Sequence, residues 1–198
     1  MPINLSGFTV YNPNEGGQLM KIKEYHPVIV DKHPYAETLN KKIMEEADRA
    51  DFYTPIDNQR YTNIRGSQYN FPIGEESEGV KTVMKWVDSL CYGNHFMHKT
   101  ALREHNLIKV DMTVWFAKYG KDQYTISHDH RSDLLAFVYF VNAPKGSSPL
   151  IFTTSGKRIK AEAGKVVIFP GTMQHCVPKN KCENRLVLAG NIIFKEKD

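Results

Sequence analysis

Cysteine is scarce in this chain. Only Cys91, Cys176 and Cys182 occur in 198 residues, an odd count with no Cys-x-x-Cys pair. That excludes a disulfide framework and a four-cysteine zinc site. It points to a reducing compartment, so a cytoplasmic protein is expected, or one in the host cytoplasm if the source is viral. Cys176 and Cys182 are near enough in sequence to meet across a hairpin, but a functional disulfide is not expected. Long apolar runs are also missing. Nothing approaches the roughly 18 residues of a membrane span. The opening "MPINLSGFTVYNPNEGG" has no basic region followed by an apolar stretch, so no signal peptide is expected. A strong charge bias is lacking too. The net charge is +4, and the Lys41-Lys42, Lys157-Arg158, Lys179 and Lys181 cations are scattered. Neither a nucleic acid nor a membrane is expected as a partner. No repeat or low-complexity linker divides the chain, so one domain is expected over 1–198.

The first half carries helical signals. In "YAETLNKKIMEEADRA", residues 35–50, Leu39, Ile43, Met44 and Ala47 fall on one stripe. In "EGVKTVMKWVDSLC", residues 78–91, Val80, Val83, Met84, Val87 and Leu90 fall on another, with Gly93 as a stop. The stretch 51–75 is rich in Asn, Tyr, Pro and Gly and reads as a loop, either plain surface or a lid or wall of a site.

After about residue 107 the pattern changes to short apolar or alternating runs separated by turn residues such as Tyr119-Gly120, Ser155-Gly156 and Pro170-Gly171. This predicts an antiparallel sandwich or jelly-roll barrel. The expected class is α+β, a double-stranded β-helix (jelly roll) with N-terminal helices packed on one face. Residues 1–106 form the helical and loop region, and 107–194 the jelly-roll core.

Eight histidines are present. His26 and His33 each precede a proline and read as surface or hydrogen-bonded residues. Cys91, His95, His98 and His105 have no second pair to complete a zinc site. His128 and His130, in "SHDHR", differ. On a strand, positions i and i+2 share a face, so both imidazoles reach one ion while Asp129 points the other way. Asp129 becomes the alternative ligand if the strand kinks. His175 follows 45 residues later, after a strand and a Pro-Gly turn. Two ligands close together and one distant suit a metal in the mouth of a jelly roll. Arg185 opens the last apolar run, "RLVLAGNIIF". A guanidinium entering a core needs a fixed anion, and a carboxylate matches its planar fork. The competing reading is a rim arginine paired with Glu183.

With these residues in place, the sequence resembles the 2-oxoglutarate- and Fe(II)-dependent dioxygenases, in particular their prolyl-hydroxylase-like and phage-type branch. The resemblance covers residues 35–194 and rests on "VWFAKYGKDQYTISHDH", "FVYFVN", "GKVVIFPGTMQHCV" and "NRLVLAGN". It implies Fe(II), 2-oxoglutarate and O2 as cofactor and co-substrates, and hydroxylation of a C–H bond in a peptide, protein or small molecule. It implies that His128 and His175 are ligands, and that His130 takes the usual carboxylate position. Arg185 would bind the distal carboxylate of 2-oxoglutarate. Asn191 matches an asparagine of the phage-type branch and has the strand parity of Arg185. Phe140 stands where many relatives have a co-substrate tyrosine, and Val187 where related enzymes offer a serine, so Tyr119 or Tyr124 would have to help. Two other readings stay open: a cupin-like three-histidine dioxygenase that uses no 2-oxoglutarate, and a non-catalytic jelly-roll binding module.

Overall fold

The computed structural model describes residues 7–11, 19–23, 28–54, 62–93 and 108–196. Two helices form where the apolar stripes run: α1 over Ala36–Ala47 and α2 over Glu78–Gly93. Ser77 caps α2, its hydroxyl accepting the Val80 N–H at 3.3 Å and donating to the Glu46 carboxylate of α1. Leu39, Ile43 and Ala47 of α1, and Val80, Val83, Val87 and Cys91 of α2, are buried on one side of a sheet. Burying each of the valines is worth about 1.5–3 kcal/mol, more than helix propensity supplies, so packing decides where the helices lie.

The strands, in chain order, are β1 (Gly7–Tyr11), β2 (Leu19–Lys23), β3 (Ile29–Lys32), β4 (Ile64–Arg65), β5 (Ser67–Asn70), β6 (Ile108–Tyr119), β7 (Tyr124–His128), β8 (Leu135–Asn142), β9 (Leu150–Phe152), β10 (Lys157–Ile159), β11 (Lys165–Pro170), β12 (His175–Val177) and β13 (Arg185–Glu196). All pairings are antiparallel. β1 and β2 form a hairpin of their own. A six-stranded sheet runs β3-β11-β8-β13-β6-β5, and a five-stranded sheet runs β10-β9-β12-β7-β4. The outer face of the six-stranded sheet carries Met112, Val114, Phe116, Phe137, Tyr139 and Leu188 against the helices. Tyr139 also donates a hydrogen bond to Asn40 Oδ1 of α1 at 2.6 Å. Its inner face packs Ala117, Phe140, Val167, Phe169 and Val187 against Ile64, Leu150, Phe152 and Val177 of the five-stranded sheet. The result is a mostly β, jelly-roll-like sandwich with both helices on one face. β8 is buried on nearly every residue because it is covered on both sides, which is why it reads as an unbroken apolar run.

The loop expected over 51–75 is corrected in part. β4 and β5 lie inside it and form the edges of the two sheets, and Tyr53 bridges to Gln68. β4 escapes apolar-pattern reading because it is only two residues long, and β5 because its Gln68 and Asn70 line a cavity rather than a hydrophobic core. β3 and the β1–β2 hairpin were not expected either. Each strand is only four or five residues long, too short for its alternation to stand out. His26, His95, His98 and His105 lie outside the described residues. Cys91 is part of the helix-facing core, and Cys176 and Cys182 carry free thiols.

Candidate active site

The inner face of the six-stranded sheet is organised in rows set by strand register. Tyr119 stands opposite Arg185, Ala117 beside Val187 and Phe140, Trp115 beside Ala189 and Val138, and Thr113 beside Asn191 and Ala136. The small side chains Ala117, Ala136 and Ala189 leave space, and a cavity of about 660 Å³ opens between the sheets. His128, His130, His175, Arg185, Tyr119, Thr125 and Trp115 all line it.

The three histidines converge. One ring nitrogen from each lies within 4.8 Å of the others. The ring centroids are 4.3 Å apart for His128 and His175, 5.0 Å for His128 and His130, and 5.3 Å for His130 and His175. The Nδ1 of His128 lies 2.9 Å from the Ile126 carbonyl, and that of His175 lies 2.9 Å from the Met173 carbonyl. A carbonyl can only accept, so each Nδ1 carries the proton and each Nε2 keeps its lone pair for the centre. Metal-bound imidazoles are usually oriented in this way.

The backbone reaches this arrangement by a different route from the one alternation predicts. His175 pairs with His128 but Val177 pairs with Thr125, so β7 has one residue more than β12 in that interval. This bulge turns both Thr125 and His128 into the cavity, although an uninterrupted strand would put them on opposite faces. β7 then ends, and His130 sits after it rather than on a continuing strand. The expectation that strand parity carries His130 inward is therefore corrected. Its N–H donates to the Gly171 carbonyl at 2.7 Å, and its own carbonyl accepts the Asp133 N–H at 2.8 Å, closing a turn over 130–133.

Asp129 is not among the converging groups. Its carboxylate accepts from Arg131 Nε at 2.8 Å. Asp129→Asn should therefore leave metal affinity within about threefold of wild type in a direct titration, since second-shell losses run 10–100-fold. Loss of stoichiometric binding would return Asp129 to the ligand set.

Burial holds the imidazoles neutral. His175 is pushed down to about 3, first by burial and then by the neighbouring His128 charge. His130 falls to about 4 for the same two reasons. His128 is also lowered by burial, against the opposing pull of the Ile126 carbonyl and Asp129. The unfolded chain thus binds more protons than the native one between about pH 3 and 6.5. The stability of the metal-free protein should rise with pH across that window and fall as pH drops through it. Urea midpoints measured at pH 4.5 and 7 check this; a flat profile would contradict it.

Arg185 is the strangest group in the cavity. It is 0% exposed, and among the described residues none of its three nitrogens has a hydrogen-bond partner at normal geometry. Its guanidinium lies 4.5 Å from the Tyr119 ring centroid and 5.5 Å from that of Phe140. Burial pulls its pKa below the usual arginine range, partly offset by Tyr119 and Cys182. Glu183, the rim partner in the competing reading, instead accepts the Lys121 N–H at 3.2 Å. The loop leading into Arg185 folds around Asn180, which is fully buried and exchanges bonds with Ser148 and Cys182. The Tyr119 hydroxyl lies 2.6 Å from Thr125 Oγ1. Phe140 and Val187 supply no hydroxyl, but Tyr119, opposite Arg185 in register and under its guanidinium, brings one that is paired with Thr125.

Two other expected residues stand elsewhere. Tyr124 and Asn191 are absent from the cavity lining. Asn191 lies six residues along β13 from Arg185, about 20 Å at the rise of a strand, and its Nδ2 donates to Asp133 Oδ2 at 2.6 Å. Thr125, Trp115, Gln68 and Asn70 line the cavity without having been expected there. Thr125 was hidden by the bulge, and Gln68 and Asn70 by the loop-like composition around them.

The sequence matches no protein-family model and no curated protein. The fold, in contrast, has clear parallels among solved structures. A prolyl-4-hydroxylase from Pseudomonas putida superposes with a TM-score of 0.63 at 17% identity, over 85% of this chain and 92% of that one. The viral collagen prolyl hydroxylase of Paramecium Bursaria Chlorella virus-1, solved as its 2OG complex, gives 0.60 at 16% identity, over 85% and 96%. A Trichoplax adhaerens prolyl hydroxylase, solved in complex with a peptide fragment of the hypoxia inducible factor oxygen degradation domain, gives 0.56 at 16%, over 83% and 82%. The chain has the fold of the prolyl-hydroxylase-like 2-oxoglutarate and Fe(II) oxygenases.

Proposed function

We propose that this protein is an Fe(II)- and 2-oxoglutarate-dependent oxygenase that hydroxylates a C–H bond. The two sheets are read as a double-stranded β-helix with its mouth at the histidines. The observation that carries the reading is a fully buried guanidinium with no carboxylate partner among the described residues, in the same cavity as three converging imidazoles. An unpaired buried charge costs several kcal/mol, so the site is built for an anion.

His128, His130 and His175 would hold the iron, and neutral nitrogen donors suit that metal. When bound, iron and 2-oxoglutarate supply the oxidation: 2-oxoglutarate, O2 and R–H become succinate, CO2 and R–OH. The rest is the work of the protein. Arg185 would receive the distal carboxylate bidentately, with the Tyr119–Thr125 hydroxyl pair beside it. Phe169, 4.7 Å from His175, and Trp115, 6.2 Å from His130, place aromatic surface beside the histidines. Beyond them the lining is neutral: Thr62, Asn63, Gln68, Asn70 and Tyr53. Thr62 donates to Gln68, Gln68 to Asn70, and Asn70 to Tyr53, at 2.6–3.1 Å. Among the described residues Arg185 is the one charged side chain in the lining, which suits an uncharged substrate portion. A peptide segment or a neutral small molecule meets that requirement.

Aerobic incubation with Fe(II) and 2-oxoglutarate tests the proposal. Succinate should form only when both are present. A three-histidine dioxygenase of another kind would bind iron and form no succinate, and a non-catalytic module would do neither.

A further inference from the structure

His128 and His175 have their rings fixed through Nδ1, but among the described residues neither ring nitrogen of His130 makes a hydrogen bond. Its position is set by the main chain of the 130–133 turn. That turn is pinned from two sides. On one side is Gly171, whose carbonyl accepts the His130 N–H and whose N–H donates to the Leu134 carbonyl. A Cβ at Gly171 would overlap the carbonyl oxygens of Asp133 and His130, so the approach requires glycine. On the other side is β13. The Ile192 carbonyl accepts the Leu134 N–H at 3.1 Å, and Asn191 Nδ2 donates to the Asp133 carboxylate at 2.6 Å. Only the NH2 end of the amide can face a carboxylate, so chemistry fixes its orientation. Among the described residues Asn191 Oδ1 is left buried without a partner. An acceptor is thus left unsatisfied while the Nδ2 bond is kept.

We propose that Asn191 is a positioning residue for His130, acting through Asp133 rather than touching metal or co-substrate. The Asp133 carboxylate is tethered to the sheet, the Asp133 N–H holds the His130 carbonyl, and the imidazole is thereby held on the shared centre. The proposal rests on the reading of the three histidines as metal ligands.

Co(II) titration of the intact chain, read by its d–d absorption, tests it. Asn191→Ala should weaken Co(II) binding about tenfold, within the range of outer-shell losses, and change the d–d spectrum as the His130 donor loosens. Asn191→Asp sets two carboxylates against each other and should be weaker still. The swap Asn191→Asp with Asp133→Asn restores an amide–carboxylate bond and should recover affinity and spectrum to within about threefold. That rescue separates positioning from general damage, and circular dichroism of the metal-free variants checks that each folds. Wild-type affinity and spectrum in Asn191→Ala, or a swap no better than the single variants, would overturn the proposal. Failure of the wild-type chain to bind Co(II) at all would instead overturn the metal-site reading beneath it.

Discussion

Replacing His175 with alanine should abolish stoichiometric metal binding, with an affinity loss greater than about 100-fold, beyond the range of outer-shell changes. The reason is topological. His128 and His130 belong to one stretch of chain, and His175 is the donor that comes from β12. It is also the most buried of the three, at 5% exposed, and it packs against Phe169. Without it two imidazoles remain from one limb, and no other described ligand group converges on them. A second consequence is measurable without metal. His175 carries the largest downward shift of the three imidazoles. Its removal should flatten the rise of stability between about pH 3 and 6.5, because the unfolded chain no longer has that extra proton to bind. A variant that binds Fe(II) as wild type does would remove His175 from the ligand set.

Arg185→Met should separate the two halves of the site. Metal binding should stay intact, while 2-oxoglutarate binding should weaken at least about 30-fold, since truncating one partner of a buried, hydrogen-bonded charge pair costs about 2–5 kcal/mol. The ligand-free protein should respond in the opposite direction. Its guanidinium is buried against the Tyr119 and Phe140 rings, with no ion pair among the described residues. Cation–π attraction returns about 0.5–2 kcal/mol, against a desolvation cost of several. A methionine of similar reach removes that cost, so the melting temperature without ligand should hold steady or rise. Equal 2-oxoglutarate affinity would sink the anion assignment, and a marked loss of ligand-free stability would show that the guanidinium has a partner in the fold.

The sequence showed what depends on periodicity. Both helices fall within three residues of the expected ranges, because their apolar stripes are what packs. The long β8 and β13 runs were visible for the same reason. The edge strands were not: β4 is two residues long, and β5 borders a cavity, so it carries Gln68 and Asn70 where a core strand would carry valine. The histidine cluster was legible from spacing and order, but the path to it was not. The bulge in β7 and the turn at 130–133 depend on pairing partners far along the chain, Val177 and Gly171 among them. Asp129 illustrates the limit of local reading. It stands between two histidines, and its partner is the arginine two residues on.

Anaerobic addition of 2-oxoglutarate to the Fe(II)-loaded chain tests the central claim most directly, because it interrogates the three imidazoles and Arg185 together. The account predicts one Fe(II) per chain and a visible charge-transfer band that saturates at one equivalent of 2-oxoglutarate. Failure to hold stoichiometric Fe(II), or binding of Fe(II) with no band at any 2-oxoglutarate concentration, would contradict it.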